Sequence, residues 1–381
     1  MKHHWLIFTS FLPPFRAGAG ENAQNFAGFL RSINKEVRTI SFTNYKPEET
    51  NHYDIRIRLR KKGVINNALF KISFIIKALP AIYKTNIVYI IGSFSNFLIV
   101  IFISWILNKK IIFSSTLLNA DDVESLTSAG SYIKRKLRYN LLGKISLYIA
   151  INKEFEKRWI DKYKNHKTKI LTTPQGVDIQ KYSPLVAKNK LHVKSCLGIS
   201  NKVPIILSVG NLTLRKGYDK IFRVLSSIKK DFIYIILGEL DSSSKFYFWN
   251  KNNDITDHHM GGKKLLGDKI LFMGYQNNPH YFYQIADIFL SFSQQEGLPN
   301  SFLEAMSSGV PIISRKMEGV DNWPLFDNAY FCEETNDFKR QIEKLLDSQA
   351  ERETIGVKSR MIAVESFSFE RLYNKIIEGL Y

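Results

Sequence analysis

One stretch, residues 285–313, restricts what this chain can fold into more than any other. Ile285-Ala286-Asp287-Ile288-Phe289-Leu290-Ser291-Phe292 is a short apolar run rich in β-formers, which predicts a buried strand. Gly297 and Pro299 break it, and Asn300 or Ser301 is placed to cap a helix. Over residues 302–308 the helix formers Leu303, Glu304, Ala305 and Met306 predict that helix, stopped by Gly309 and Pro311 before Ile312-Ile313 opens another strand. A strand, a loop, a helix and a second buried strand in succession imply an α/β chain.

This stretch also carries two carboxylates. The first turn of its helix offers unpaired backbone N–H groups and the positive end of a dipole, which suits a phosphate. Glu304, near that turn, is placed to accept hydrogen bonds from vicinal hydroxyls such as a ribose presents. Glu296, just before the loop, falls where a second sugar beyond the phosphates would lie. Taken singly, each also reads as an ordinary helix or loop glutamate. The pair, framed by Gly297-Leu298-Pro299 and Gly309-Val310-Pro311, is more specific.

The whole frame resembles the donor-site signature EGxPxxxxEAMxxGxP of the retaining glycosyltransferases of the GT-B fold, especially glycosyltransferase family 4 (glycosyl transferases group 1). The resemblance implies that Glu304 holds the nucleotide ribose. It further implies that Glu296 and the backbone of Gly297, Leu298, Pro299 and Asn300 hold the transferred sugar and the diphosphate. A second likeness comes after the predicted strand at residues 203–209, where Gly210-Asn211-Leu212-Thr213-Leu214-Arg215-Lys216-Gly217 is similar to the family's G-R-L…K-G loop. There an arginine and a lysine neutralise the leaving diphosphate. Lys216 matches, Asn211 replaces the usual arginine, and Arg215 is the substitute cation. Breaking a glycosyl–phosphate bond builds negative charge on the departing nucleotide, which a fixed cation stabilises. A solvated Arg-Lys pair at a helix start is the alternative reading.

Upstream the likeness thins. A strand over residues 5–10 leads to Gly18-Ala19-Gly20 and a helix over residues 23–34. That turn resembles the family's glycine-rich loop facing the donor phosphates, with Gly20 the matching residue, although an ordinary tight turn reads equally well. Pro174-Gln175-Gly176-Val177-Asp178 and then Tyr182-Ser183-Pro184 look like the family's P-N-G-V-D…F-x-P segment, which ends the first domain. Many family members place a histidine after the strand that here spans residues 111–113. This chain has Asp121-Asp122 nearby instead, read either as acceptor-side groups or as a helix cap.

Composition bounds the rest. With 381 residues, 45% of them hydrophobic, the chain is long enough for two domains. Two cysteines far apart, Cys196 and Cys332, argue against a disulfide scaffold and fit a reducing compartment. The net charge of +19 is uneven: residues 1–184 hold 29 Lys and Arg against 12 Asp and Glu, and residues 185–381 hold 25 against 23. The first half therefore expects a polyanionic partner. Nucleic-acid-binding signatures are lacking, which leaves an anionic membrane leaflet, at roughly 1 kcal/mol per basic residue near the surface, or no partner at all. Residues 64–83 and 134–145 read as amphipathic basic helices, suited to lying on such a surface or to facing water as sheet-covering helices. Residues 55–62 alternate apolar and basic, as a one-sided strand or a loop would.

No signal peptide is legible at residues 5–12. The charge-free run at residues 85–108 is long enough to span a membrane, but Gly92, Ser93, Ser95 and Asn96 cut it into a strand and a helix, as in a buried βαβ unit. His258-His259 lacks metal-ligand spacing and no DxD motif sits at a strand end, so metal independence and no cofactor are expected.

The resemblance thus implies two Rossmann-like, doubly wound domains facing a cleft: residues 1–184 for the acceptor and membrane, 185–365 for the nucleotide sugar, and 366–381 as a helix crossing back to the first. The implied reaction moves a hexose-type sugar, anomeric configuration retained, from a nucleotide diphosphate sugar to a glycan acceptor. The basic first half suggests that this acceptor is lipid-linked, as in surface polysaccharide assembly, with the protein peripheral on the cytoplasmic face of an inner membrane. A sugar-nucleotide epimerase on the same fold and a non-catalytic nucleotide-sugar or membrane-binding protein are the alternatives.

Overall fold

The computed structural model describes residues 4–11, 18–43, 54–58, 64–93, 96–128, 130–164, 167–199, 203–239, 248–249, 255–256, 258–294, 298–316 and 329–381. The chain forms two compact units, one of residues 1–176 with 369–381 and the other of residues 177–368. Residue 184, the boundary read from sequence, lies inside the second unit, and residues 366–368 stay with it.

In the first unit seven parallel strands form one sheet, in the order β3-β2-β1-β4-β5-β6-β7. They are β1 (His4–Phe11), β2 (Glu36–Thr43), β3 (Asp54–Arg58), β4 (Ile87–Ile91), β5 (Lys110–Ser114), β6 (Leu147–Ala150) and β7 (Lys169–Thr172). Between them run α1 (Gly18–Ser32), α2 (Val64–Tyr83), α3 (Phe97–Ile106), α4 (Val123–Ser128), α5 (Tyr132–Leu142) and α6 (Lys153–Lys162). Helices cover both faces, so the central strands β1, β4, β5 and β6 are buried on both and read as largely apolar runs. The period of two then divides them. Leu6, Phe8, Val88 and Ile90 face a core with Phe74 of α2 and Val100 of α3. Trp5, Ile7, Ile87 and Tyr89 face the other core, with Phe26 of α1 and with Leu372 and Ile376 of the chain's last helix, Phe369–Leu380.

The run at residues 85–108 resolves into β4 and the ten-residue α3, which connects β4 to the parallel β5. Among the described residues no helix is long and apolar enough to cross a membrane. Of the stretch 55–62, β3 takes Asp54–Arg58, and residues 59–62 lie outside the described residues.

A six-stranded parallel sheet, ordered β12-β9-β8-β13-β14-β15, organises the second unit. The chain runs through α7 (Ala187–Cys196), β8 (Ile205–Val209), α8 (Tyr218–Ser226), β9 (Ile233–Leu237) and the small pair β10 (Phe248–Trp249) and β11 (Ile255–Thr256). It continues through α9 (His258–Leu266), β12 (Ile270–Gly274), α10 (His280–Ile285), β13 (Ile288–Ser291), α11 (Asn300–Ser307), β14 (Ile312–Arg315), β15 (Ala329–Cys332), α12 (Thr335–Asp347) and α13 (Gln349–Ser366).

Three local expectations change. The apolar run begun at Ile285 holds the end of α10 before β13 starts at Ile288. Residues 183–200, whose polar composition reads as a linker between domains, contain α7. Pro299, not Asn300 or Ser301, occupies the position before α11, and it accepts no bond from the helix through its side chain. Strand order reverses between β8 and β13, whose carboxyl ends therefore open onto a crevice where ligands bind in sheets of this kind.

Candidate active site in the second unit

The loop after β8 and the loop after β13 flank that crevice, and the structure ties them together. Residues Leu214–Lys216 form a single 3₁₀ turn closed by Gly217 in the left-handed region, at φ 65°. A side chain at Gly217 is barred twice over, because its Cβ would lie 2.5 Å from the Phe292 carbonyl oxygen. This close approach lets Gln294 donate its backbone N–H to the Arg215 carbonyl at 2.8 Å. Arg215 and Lys216 are thereby fixed beside the end of β13, where the chain runs on toward Glu296.

Lys216 folds back across the loop: a Cβ at Gly210 would stand 3.0 Å from Lys216 Cε and 3.3 Å from its Nζ. Gly210 is held in turn by Tyr218, whose hydroxyl donates to its carbonyl at 2.7 Å. Behind it, Gly238 at the end of β9 approaches so closely that any side chain there would collide with the Gly210 backbone. Asn211 accepts the Glu239 N–H through Oδ1 at 3.4 Å, so the residue in the usual arginine's place bridges the ends of β8 and β9.

Glu304 lies in α11, and the Tyr283 hydroxyl of α10 donates to its Oε2 at 2.7 Å. Burial lifts its carboxyl above the ordinary value, while hydrogen bonds from Tyr283 and Tyr182 and the charge of Lys181 pull part of the way back. Tyr182 and Tyr283 meet edge to face at 5.5 Å. Arg360 of α13 locks this arrangement by donating to the carbonyls of Tyr182 (3.2 Å) and Ser307 (2.7 Å). Leu298 and Pro299 are buried, Leu298 within the core that holds α11, and Asn300 begins the helix. Glu296 and Gly297 lie outside the described residues.

Tyr182, Tyr283 and Arg360 do not stand out in the sequence as partners of this site. Tyr182 is visible there only as part of a segment ending the first domain. Tyr283 and Arg360 reach Glu304 and Ser307 through tertiary packing, for which local spacing carries no signal.

In the first unit, Gly20 is buried within α1, which begins at Gly18 rather than at Ala23. The glycines expected to turn the chain instead form the helix's first turn, and the preceding residues 12–17 are outside the described set. Asp121 accepts from the backbone N–H groups of Thr116 and Leu117 and from the Thr116 hydroxyl. Asp122 accepts from the N–H groups of Glu124 and Ser125 at the start of α4 and from the Ser125 hydroxyl, and it pairs with Arg158 at 3.2 Å. Burial opposes ionisation of both. For Asp121 burial prevails and its pKa is raised, whereas for Asp122 the Ser125 bonds and Arg158 outweigh burial and its pKa is lowered. Every carboxylate oxygen of the pair accepts a hydrogen bond. Asp122 thus caps α4, as the helix-cap reading has it, while Asp121 closes the turn at residues 116–121. Among the described residues no cluster of three or more His, Cys, Asp or Glu could hold a metal ion.

Residues 192–361 match the family described as Glycosyl transferases group 1. The chain is 26% identical over 235 residues to spore coat protein SA of Bacillus subtilis, a match covering 57% of this chain and 59% of that protein. It is 28% identical over 185 residues to the UDP-Gal:alpha-D-GlcNAc-diphosphoundecaprenol alpha-1,3-galactosyltransferase of Escherichia coli, covering 47% and 44%. The matched region thus spans less than two thirds of these relatives' own length. Among solved structures, Anabaena Alr3699/HepE in complex with UDP superposes with a TM-score of 0.73 at 16% identity, covering 99% of both chains, and so shares the fold.

Proposed function

We infer from the membership of residues 192–361 in the glycosyl transferases group 1 family that this chain is a glycosyltransferase. It takes a hexose-type sugar from a nucleotide diphosphate sugar and passes it, with anomeric configuration retained, to a lipid-linked glycan acceptor in surface polysaccharide assembly. The E. coli relative named for such an acceptor supports that part of the reading. The observation that carries the site assignment is the Gln294–Arg215 backbone bond, which brings the cationic turn after β8 against the loop that leads to Glu296 and α11.

In this reading Glu304, steadied by Tyr283, accepts hydrogen bonds from the ribose hydroxyls. Glu296 orients the transferred sugar. As the bond from the anomeric carbon to phosphate oxygen breaks, its electron pair stays with the nucleoside diphosphate, and Lys216 with Arg215 stabilises the charge that builds there. The backbone of Gly297, Leu298, Pro299 and Asn300 contacts the diphosphate and sugar. Binding and transfer need no metal, so chelation by EDTA leaves the rate unchanged.

Kinetics of two variants test the assignment. Lys216→Ala lowers turnover by about 10²–10³-fold with a smaller effect on donor affinity. Glu304→Ala weakens donor binding by about 10–100-fold. Wild-type kinetics in both variants would remove the site, and an inverted product anomer by NMR would remove the stereochemical assignment.

A further inference from the structure

The helices covering one side of the first unit's sheet carry a surface that the fold does not use. Along α2, Ile72, Ile76, Leu79 and Tyr83 recur at helical spacing and form one stripe. All four are exposed, Ile76 to 67% and Tyr83 to 70%. The helix already buries its other side through Phe74, Ala78 and Ile82. On α3, Phe102, Trp105 and Ile106 are exposed, and on α5 Tyr132, Leu137 and Ile133, the last to 78%. α3 packs against both α2 and α5, so the three exposed sets lie on adjoining helices. Ten of the twelve exposed large apolar residues described in this unit are on these three helices.

Charge indicates what would cover them. None of the three helices contains Asp or Glu, and no acidic residue occurs anywhere between Asp54 and Asp121. Lys77 lies on α2, and Lys134, Arg135, Lys136 and Arg138 lie on α5. Two further lysines stand over exposed aromatics. Lys144 Nζ is 4.8 Å from the Trp105 ring centre, and Lys109 Nζ is 5.8 Å from that of Tyr83. Apolar and aromatic side chains bordered by cations, without a carboxylate among them, suit the boundary between acyl chains and phosphate headgroups. A purely water-facing surface would not need the apolar stripe, and a neutral protein partner would leave the cations unmatched.

We propose that the α2–α3–α5 face docks on an anionic lipid leaflet. Ile76, Tyr83, Trp105 and Ile133 enter the headgroup–acyl boundary, and the flanking lysines and arginines bind lipid phosphates. The helices lie on the bilayer and do not span it. This inference stands apart from the reaction assigned to the second unit, and its test contains no sugar nucleotide.

The full chain is mixed with vesicles of phosphatidylcholine alone or of equal parts phosphatidylcholine and phosphatidylglycerol, and sedimented. Binding is expected to be at least about tenfold tighter to the anionic vesicles. The double variants Ile76→Ser/Ile133→Ser and Lys134→Glu/Lys136→Glu each weaken it by about tenfold or more, with circular dichroism and melting temperature unchanged. All of these side chains are solvent-facing, so a folding defect is not built into the test. Failure of the wild type to bind anionic vesicles would overturn the proposal, as would unchanged binding by the apolar variant. So would a lipid-free dimer that Ile76→Ser/Ile133→Ser dissolves, which would assign the face to a second copy of the chain.

Discussion

At Glu304, desolvation and hydrogen bonding oppose one another, and both leave measurable traces. Its carboxyl titrates higher in the folded chain than in an unfolded one. The stability it contributes is therefore present below the ordinary carboxylate range and lost as pH rises through the folded value. Glu304→Gln removes that loss, so its melting temperature should gain on the wild type's as pH rises above the ordinary carboxylate range; a difference that stays flat would argue against the shift. Donor affinity should run the opposite way, because an ionised Glu304 accepts better from ribose hydroxyls. The Tyr283 hydroxyl lowers this pKa. Tyr283→Phe should therefore move the acid limb of donor binding to higher pH, visible in isothermal titration at several pH values. A tyrosine that merely filled space would leave that limb where it is.

Among the elements, the 3₁₀ turn after β8 depends on Gly217. Its left-handed backbone and its approach to the Phe292 carbonyl exclude a side chain independently. Gly217→Ala should cost about 1–3 kcal/mol in chemical denaturation and lower turnover, since it pushes Lys216 and Arg215 away from β13. Elements such as this one are legible from sequence to differing degrees. Continuous apolar runs identify β4, β5, β8 and β9, because strands buried on both faces carry their signal in nearly every residue. α13 leaves no such trace. Its inward residues are Gly356, Ser359 and Ala363, small enough for backbone contact with Gly309, whereas Val357, Met361 and Val364 point outward. An apolar stripe on the wrong side of a helix misleads any reading by periodicity. The start of α1 is displaced for a related reason, since Gly18 and Gly20 have turn-like composition yet take helical conformation. Lys216, Arg215 and Glu304 stand out because their chemistry is confined to short motifs. Tyr283 and Arg360 do not, because their roles exist only after α10, α11 and α13 have packed.

For the molecule as a whole, the last helix is decisive. Phe369–Leu380 comes after the second unit in the chain yet buries Phe369, Leu372, Ile376 and Leu380 in the first, beside Trp5, Ile7 and Phe26. Removing residues 369–381 should therefore destabilise the first unit, by about 1.5–3 kcal/mol for each buried side chain. Tryptophan fluorescence of Trp5 and limited proteolysis would locate the damage, and equal sensitivity in residues 177–368 would contradict the assignment. The chain's connectivity has a further effect during synthesis. On the ribosome, residues 177–368 leave the exit tunnel as an uninterrupted segment able to fold at once. The earlier portion, already outside, must wait with the hydrophobic side around Trp5 covered only in part, by α1, until residues 369–381 emerge to close it. The unit begun before residues 177–368 is thus completed after them, and a chaperone acting on the nascent chain would find its target there.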